Sequence, residues 1–285
     1  MNASAVPIVS VVVPVRNARA TLAQCLEALL GQDYPPDRFE IILVDNGSVD
    51  GSTCVGGGRE RVRWLSEPSP GAYAARNRGA SCAHGDVIAF IDADCVAQPD
   101  WLSGIAASFR DPGAAVLLGH RRLPGGRLLA LIEAYESAKD RTVLEGTDTE
   151  LYYGYTNNMA VRRAVFEELG PFADLFRGSD TLFVRKVAEH VSSDAVRYRA
   201  DLVVTHLEVK GLLAYYYKVF LYGRHRTRGD SIKRARCLDT RQRMTIYGQA
   251  VTAARLGPAS SAVLLTILLG GLLMWQSGRL SSAVG

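Results

Sequence analysis

The chain has 285 residues, of which 48% are hydrophobic and 22% are charged. This is the composition of an ordinary globular protein, and it excludes a disordered, low-complexity or repeat-built chain. The net charge of +4 is mild and indicates no nucleic-acid partner. The length suits one large α/β domain, or one domain with an appendage.

The first hundred residues alternate predicted strands and helices. Residues 8–15, "IVSVVVPV", form a β-branched run typical of a strand buried on both faces, and residues 18–32 place apolar side chains at helical spacing. The same alternation continues with a strand at 39–48, a strand at 62–68, a helix at 71–83 and a strand at 86–95. This order predicts a parallel sheet with right-handed crossovers, which binds ligands at the carboxyl ends of its strands.

Two of these strands end in carboxylates. Asp45 follows the second strand, and Asp92 and Asp94 lie one residue apart in "FIDADC" at the end of the fourth. Two like charges this close repel each other, so the pair needs either a neighbouring cation or a wet cleft. An Asp-x-Asp pair offers the hard oxygen ligands that suit Mg²⁺ or Mn²⁺, although the same short motif also occurs as a turn with two solvated carboxylates.

The middle of the chain is less regular. Its predicted elements are a helix at 100–109, a strand near 114–119, a helix at 127–142, an irregular Tyr/Asn-rich segment at 151–158, a helix within 162–172 that ends at Gly170, and a helix at 179–190. Ser179 or Asp180 begins the last of these helices.

The C-terminal part combines basic charge with the most apolar stretch of the chain. Ten Lys or Arg and only two acids lie between Lys210 and Arg243, and residues 256–278 are 23 consecutive uncharged positions. As a helix those positions span about 35 Å, enough to cross a hydrocarbon core of about 30 Å. The strongest part, 262–275, also suits a core or interfacial helix. If the helix spans a membrane, the basic excess before it places the main domain in the cytoplasm.

The five cysteines show no CxxC pair and no ligand-like spacing. An odd, scattered set favours reduced thiols in a cytosolic domain over a disulfide framework. The apolar run near the amino terminus has no basic segment before it and is predicted as a first strand rather than a leader peptide.

Six motifs in order carry a resemblance to a known family. They are "VVVPVRN", "ILVDNGSVDGS", "PGAYAARNRGA", "GDVIAFIDADC", "NNMAVRRAVFEELGPF" and "GSDTLFVRKV". Together, over residues 8 to 210, they resemble the catalytic domain of glycosyltransferase family 2. The resemblance implies a GT-A fold, that is, a Rossmann-like, mostly parallel sheet flanked by helices. The predicted domains are a catalytic domain at 1–210, a basic, aromatic helical segment at 211–255, and a membrane-spanning or membrane-embedded helix at 256–278.

The resemblance assigns the donor site. Asp45 resembles the aspartate that binds the nucleotide base, and its position in "DNGS" also suits an Asx turn. Pro14 and Arg16 lie in the loop that lines the nucleotide pocket. Arg76 resembles the basic residue near the ribose and phosphates, with a surface helix arginine as the alternative. Asp92 resembles the residue that faces the ribose or the metal.

The resemblance also assigns the reacting groups. Asp94 matches the direct ligand of Mg²⁺ or Mn²⁺. Asp180 matches the catalytic base of an inverting transfer, with a helix N-cap as the alternative role. The family usually has an acid before this base, and Ser179 stands there instead. His206, in "VVTHLEV", matches a histidine that completes the metal shell in some members, and a structural histidine is the alternative.

The acceptor side is predicted in the segment "YYGYTNNMAV". Tyr155 would stack on a sugar face, and Asn157 and Asn158 would hydrogen-bond hydroxyl groups, with ordinary packing as the alternative. Residues 214–228 are predicted either as an amphipathic helix on an anionic membrane or as a solvated basic face.

The function predicted from these features is sugar transfer from a nucleoside-diphosphate sugar to a glycolipid or cell-surface glycan, at the cytoplasmic face of the membrane. A processive polysaccharide synthase is disfavoured because the Gln-x-x-Arg-Trp motif is missing. A nucleotidyltransferase is disfavoured because "VPVRNARAT" contains no glycine. From a different class, the alternative is a non-catalytic nucleotide-sugar-binding or scaffold protein that keeps the fold.

Overall fold

A computed structural model describes residues 6–225 and 238–283. Its strands are β1 Val9–Val15, β2 Phe39–Asp45, β3 Val62–Ser66, β4 Val87–Phe90, β5 Cys95–Ala97, β6 Val116–Arg122, β7 Met159–Arg162 and β8 Val196–His206. Its helices are α1 Arg19–Leu30, α2 Ala72–Ser81, α3 Trp101–Ser108, α4 Arg127–Leu144, α5 Arg163–Leu169, α6 Ser179–His190, α7 Leu212–His225, α8 Thr240–Ala253 and α9 Pro258–Ala283. The end of the predicted 214–228 helix lies outside the described residues.

The eight strands form one sheet in the order β3-β2-β1-β4-β7-β6-β8-β5. Strand β1 pairs in parallel with β2 and β4, and β2 pairs in parallel with β3. The parallel sheet predicted for the first hundred residues is therefore confirmed. Strand β7 then runs antiparallel to both β4 and β6, so the complete sheet is mixed.

The strand register brings the carboxyl ends of β1, β2 and β3 to one edge of the sheet. Val15 is level with Asp45, and Asp45 is level with Ser66. Strand β4 ends at Phe90, earlier than the predicted strand at 86–95, and a turn follows before β5. Asp92 and Asp94 lie in that turn, which keeps both carboxylates out of the buried ladder.

Helix α2 lies directly against the sheet because Gly79 permits a close approach. A Cβ atom at Gly79 would lie 2.4 Å from Val12 Cγ1, a distance at which something must shift. The contact fixes the height of α2 over β1 and β2. Two side chains on the same helix, Tyr73 and Arg76, are thereby carried to the edge where the strands end.

The chain divides into two compact units. The α/β unit comprises Met1–His120 and Tyr153–Thr205, and the helical unit comprises Arg121–Tyr152 and His206–Gly285. These boundaries differ from the predicted one at 210, because α4 belongs with the C-terminal helices. Its residues Leu131 and Tyr135 share a core with residues of α8 and α9: Ile246, Ala250 and Leu264. A long helix must bury its apolar side against some partner, and sequence order alone did not show which.

Within the helical unit, α7 and α9 pack along glycines. A Cβ at Gly223 would lie 2.1 Å from the Trp275 carbonyl oxygen, and a Cβ at Gly278 would lie 2.1 Å from that of Phe220. Helix α9 has a mean hydropathy of 1.7 over its most apolar window and is long enough to cross a membrane. Only 17% of that window is buried within the protein.

Candidate active site

The cation expected beside the Asp-x-Asp pair is Arg76. Its guanidinium Nη2 donates to Asp92 Oδ1 at 2.5 Å, and the Arg76 side chain is buried. Burial lowers the pKa of Arg76, but the charge and hydrogen bond of Asp92, acting together with Tyr73 and Asp180, outweigh burial and raise it. The alternative of a surface helix arginine is therefore wrong, and Arg78 has that exposed position instead.

Asp180 lies in the first turn of α6, whose N-cap is Gly178. The alternative of an N-cap role for Asp180 is therefore wrong. Its Oδ1 accepts the Thr181 backbone N–H at 2.9 Å, and the Tyr73 hydroxyl and the Thr156 backbone N–H lie close enough to stabilise its charged form. Burial raises the pKa of Asp180 above its usual value, and Arg76 together with these hydrogen bonds lowers it in part. A carboxylate with a raised pKa is a stronger proton acceptor, as a general base requires.

Tyr73 is a site residue that the sequence analysis missed. Its hydroxyl contacts the Asp180 carboxylate and also accepts the Gly178 backbone N–H at 3.1 Å. The Arg76 guanidinium carbon lies 5.4 Å from the centroid of the Tyr73 ring. Because the two residues are three apart on α2, one helix face reaches both Asp92 and Asp180. The i, i+3 spacing of Tyr73 and Arg76 is the signal that could have identified the pair.

The predicted base-binding aspartate lies in an ordered turn. Asp45 Oδ1 accepts the Ser48 backbone N–H at 3.1 Å, so the Asx-type turn is present. The carboxylate stays partly exposed, and the turn leaves its second oxygen to other partners. Pro14 pairs with Val44 inside the sheet, and Arg16 follows β1 with an exposed side chain.

Asn46 organises the loop beside Asp45 and was also missed. Its amide nitrogen donates to the carbonyls of Glu67 and Ser69 at 2.8 and 2.7 Å, and its amide oxygen accepts the Gly71 N–H at 2.9 Å. One buried side chain thus satisfies both halves of its amide and fixes the start of α2.

Asp94 and its surroundings fit a hard divalent cation. Asp92 and Asp94 both keep exposed surface, and two carboxylates one residue apart supply the oxygen donors that Mg²⁺ and Mn²⁺ prefer. Two buried thiols line the turn: Cys25 Sγ lies 3.6 Å from the Asp92 carbonyl oxygen, and Cys95 Sγ lies 3.7 Å from Asp94 Oδ1. Burial, and then the charges of Asp94 and Asp92, raise the pKa of Cys25, so this thiol stays protonated.

The predicted acceptor segment lies beside the base. The Thr156 N–H bonds Asp180, and a Cβ at Gly154 would lie 2.6 Å from the Asp180 carbonyl oxygen. Tyr155 is buried, and its hydroxyl donates to the Gly119 carbonyl at 2.9 Å. Asn157 keeps partial exposure, and within the described ranges its buried Oδ1 has no hydrogen-bond partner.

Asn158 is placed differently from its neighbour. It has 0% exposure, and its amide bonds the carbonyls of His120 and Leu202 at 2.8 and 2.9 Å. Its Oδ1 accepts the Trp101 indole N–H at 2.9 Å. In this structure Asn158 ties β6, β8 and α3 together and offers no surface to an acceptor.

His206 is the last residue of β8, and it is buried. Within the helical unit its Nε2 lies 3.1 Å from Lys218 Nζ, and that ammonium also pairs with Glu208 at 3.0 Å. An ammonium can only donate, so this contact requires a neutral His206 that accepts through Nε2. Metal ligation through Nε2 would have to replace Lys218.

A sheet that is parallel in its first half, with carboxylates at its strand tips and a further carboxylate beside them on a following helix, defines a GT-A glycosyltransferase. The fold is shared with a mannosyltransferase from Pyrobaculum calidifontis solved with GDP-Man and Mn²⁺, at a TM-score of 0.63 and 19% identity over 99% of this chain and 84% of that one. It is also shared with S. aureus TarS 1-349 in complex with UDP-GlcNAc, at a TM-score of 0.54 and 16% identity over 98% of this chain and 92% of that one.

The chain belongs to glycosyl transferase family 2, whose family model matches residues 10–170. It is 31% identical to glycosyltransferase AglE of Haloferax volcanii over 217 residues, which are 71% of this chain and 68% of that protein. It is 35% identical to glycosyltransferase GlyG of Streptococcus pneumoniae over 118 residues, which are 40% of this chain and 38% of that protein. The protein is therefore a glycosyltransferase that uses nucleotide-sugar donors, and the non-catalytic alternative is set aside.

Proposed function

We propose that this protein transfers a sugar from a nucleoside-diphosphate sugar to a glycolipid or surface-glycan acceptor, with inversion at the anomeric carbon and with the help of Mg²⁺ or Mn²⁺. The observation that carries the proposal is that Arg76 and Tyr73, on one face of α2, contact Asp92 and Asp180. The strand-tip carboxylate and the base carboxylate are therefore held by one rigid helix.

The base step follows from the state of Asp180. Its deprotonated carboxylate takes the proton of an acceptor hydroxyl while that oxygen attacks the anomeric carbon of the donor. The bond from that carbon to the diphosphate oxygen breaks as the new glycosidic bond forms. A single displacement of this kind inverts the anomeric centre.

The donor side is assigned to residues of the first four strands and α2. Asp45, with Pro14 and Arg16, would bind the nucleoside, while Arg76 and Asp92 would position the ribose and phosphates. A divalent ion held by Asp94 would offset the charge of the leaving diphosphate. Related folds solved with GDP-Man and Mn²⁺ or with UDP-GlcNAc support this donor class. His206 stays a predicted ligand of the ion.

The acceptor side is assigned to Asn157 and the backbone around Tyr155. Asn157 keeps partial exposure beside the segment next to Asp180, so its amide group suits an acceptor hydroxyl. Asn158 is left out of this proposal because it has no exposed surface.

The place of action is proposed to be the cytoplasmic face of a membrane, with α9 embedded in it. Helix α9 combines a length of 26 residues with little burial inside the protein. Several large apolar side chains, among them Leu269, Leu273 and Leu280, are exposed along it. An apolar surface of this kind is stable in contact with lipid rather than with water.

A donor screen tests the proposed reaction. Purified protein is mixed with UDP-, GDP- and dTDP-sugars in Mn²⁺ or Mg²⁺, with and without chelator, and its melting temperature and slow donor hydrolysis are recorded. We expect stabilisation and hydrolysis with one nucleotide class, both lost on chelation. Stabilisation that survives chelation would overturn the metal dependence. A well-folded protein with no response to any donor would overturn the donor assignment.

A further inference from the structure

The segment between α5 and α6 is anchored at its first end. Phe172 donates its N–H to Asn77 Oδ1 at 2.9 Å, and Asn77 Nδ2 donates back to the Phe172 carbonyl at 2.8 Å. The Phe172 ring lies 5.2 Å from Phe166 and 5.5 Å from Phe183, measured between centroids. This end of the segment therefore belongs to the hydrophobic core.

The segment is anchored again just before the base. Gly178 has φ of 85°, a conformation that favours glycine, and its N–H donates to the Tyr73 hydroxyl at 3.1 Å. The same hydroxyl bonds the Asp180 carboxylate. The position of Gly178 is thus set by the group that also orients the base.

Between these anchors the chain presents an aromatic ring to solvent. Phe176 is 75% exposed. Among the described residues of the α/β unit, the other exposed large apolar side chains are Val49 at 90% and Val191 at 49%, and neither is aromatic. The Arg177 guanidinium carbon lies 6.0 Å from the centroid of the Phe176 ring. An exposed ring on a doubly anchored segment is a candidate binding surface.

The ring lies close to the base. Phe176 precedes Asp180 by four residues, and four residues span at most about 14 Å. The segment therefore lies within reach of an acceptor whose hydroxyl is at Asp180. A flat ring matches the C–H face of a pyranose and gives contact area at little cost in conformational entropy.

We propose that Phe176 is a specificity-determining residue that stacks on a sugar ring of the acceptor. The inference rests on the proposed function and narrows its acceptor class to one that presents a pyranose near the reacting hydroxyl. A simple alcohol or a bare lipid phosphate offers no such face and would gain nothing from Phe176.

The test compares Phe176→Ala, Phe176→Leu and Phe176→Trp with wild type. The probes are n-octyl β-D-glucopyranoside and n-octyl β-D-mannopyranoside below their micelle concentrations, with n-octyl phosphate as the sugar-free counterpart. We expect at least one glycoside to accept sugar, with its KM raised about tenfold or more in the Ala and Leu variants and restored in the Trp variant. Donor KM and donor hydrolysis should stay unchanged in all three.

The matched control is Val191→Ala, an exposed apolar residue after the far end of α6, a helix about 18 Å long. This variant should leave the acceptor KM unchanged. The stacking role would be overturned if the acceptor KM were equal in wild type and the Ala variant, or if the Leu variant kept the wild-type KM. It would also be overturned if the variants lost as much affinity for octyl phosphate as for the glycosides. The fluorescence of the Trp variant is also recorded as each glycoside is added. The stacking role would be overturned as well if neither glycoside accepted sugar or if neither quenched that fluorescence.

Donor hydrolysis separates this inference from the proposed function. If wild type hydrolyses no nucleotide sugar, the proposed function fails whatever Phe176 does. If hydrolysis is normal and the variants behave as wild type towards the glycosides, only the role of Phe176 fails.

Discussion

The two units of this protein treat their apolar residues in opposite ways. In the α/β unit, large side chains such as Trp101 and Phe90 are fully buried, and polar groups gather at the strand tips. In the helical unit, α9 keeps Leu273 64% exposed and Leu280 70% exposed. The first unit completes its own hydrophobic core, whereas the second leaves apolar surface for an outside phase to cover.

We therefore expect the α/β unit to carry out the chemistry and the exposed face of α9 to determine where the protein lies. The α/β unit holds Asp92 and Asp180 on a rigid frame, so changes there should alter turnover or the stability of that frame. The exposed face of α9 contributes little to burial within the protein, so changes there should alter where the protein lies and leave its fold intact.

The largest effect is expected from Asp180→Asn. Loss of the general base should lower the transfer rate by about 10³-fold, because general base catalysis contributes about 10² to 10⁴-fold. The melting temperature and its increase with donor should be retained. Steady-state transfer kinetics measure the loss, and Glu189→Gln, an exposed acid on the same helix, is the control. Normal transfer by the Asn variant would reject Asp180 as the base.

The double variant Leu269→Gln and Leu273→Gln tests the other half of the comparison. Each exposed leucine contributes about 1.5 to 3 kcal/mol when it is buried in an apolar phase, so partitioning to vesicles should fall by about 100-fold or more. Circular dichroism and melting should change little. Thr266→Gln, an exposed polar position on the same helix, is the control. If the double variant bound vesicles as well as wild type in a flotation assay, the proposal that this face of α9 binds the membrane would be contradicted.

Arg76→Met should destabilise the α/β unit. Removing the buried partner of a carboxylate costs about 3 to 5 kcal/mol in a fully buried pair, and partial exposure of Asp92 reduces this to about 2 kcal/mol. Denaturant unfolding measures the change, with Arg78→Met as the exposed control on α2. Adding Asp92→Asn should recover part of the loss. A double variant no more stable than Arg76→Met would argue against a direct pair.

The two adjacent asparagines should separate stability from binding. Asn158→Ala removes three buried hydrogen bonds and should cost about 2 kcal/mol of unfolding free energy. Asn157→Ala should leave stability nearly unchanged and raise the acceptor KM. Thermal melts measure the stability of both variants, and acceptor titrations measure their KM. If Asn157→Ala lost stability and Asn158→Ala raised the acceptor KM instead, Asn157 would be the structural residue and Asn158 the binding residue.

The smallest effect is expected from Tyr73→Phe. Burial already raises the pKa of Asp180, and the Tyr73 hydroxyl opposes that rise by donating to the charged carboxylate. Without the donor, the pKa rises further, so a higher pH is needed to deprotonate the base. The acidic limb of the kcat/KM profile should therefore move to higher pH, with the rate at high pH nearly retained. An acidic limb that stays in place would show that Tyr73 does not act on the base.

Much of the α/β unit could be predicted because its signals are local. The β-branched run of β1 and the helical spacing of α1 follow from residues next to each other in the chain. Helix α6 begins and ends where the sequence predicts, at Ser179 and His190. Asp45, Asp92, Asp94 and Asp180 were nominated from their motifs alone.

The sequence by itself thus determined the order of the elements, the strand tips that carry acid, and the family. Tertiary structure decided which partner each of these side chains and helices contacts. It paired Arg76 with Asp92, brought Tyr73 to Asp180, buried Asn158 against Trp101, and packed α4 against α8 and α9. These outcomes depend on contacts between residues far apart in the chain, and such contacts form only when the packing of whole elements brings the residues together.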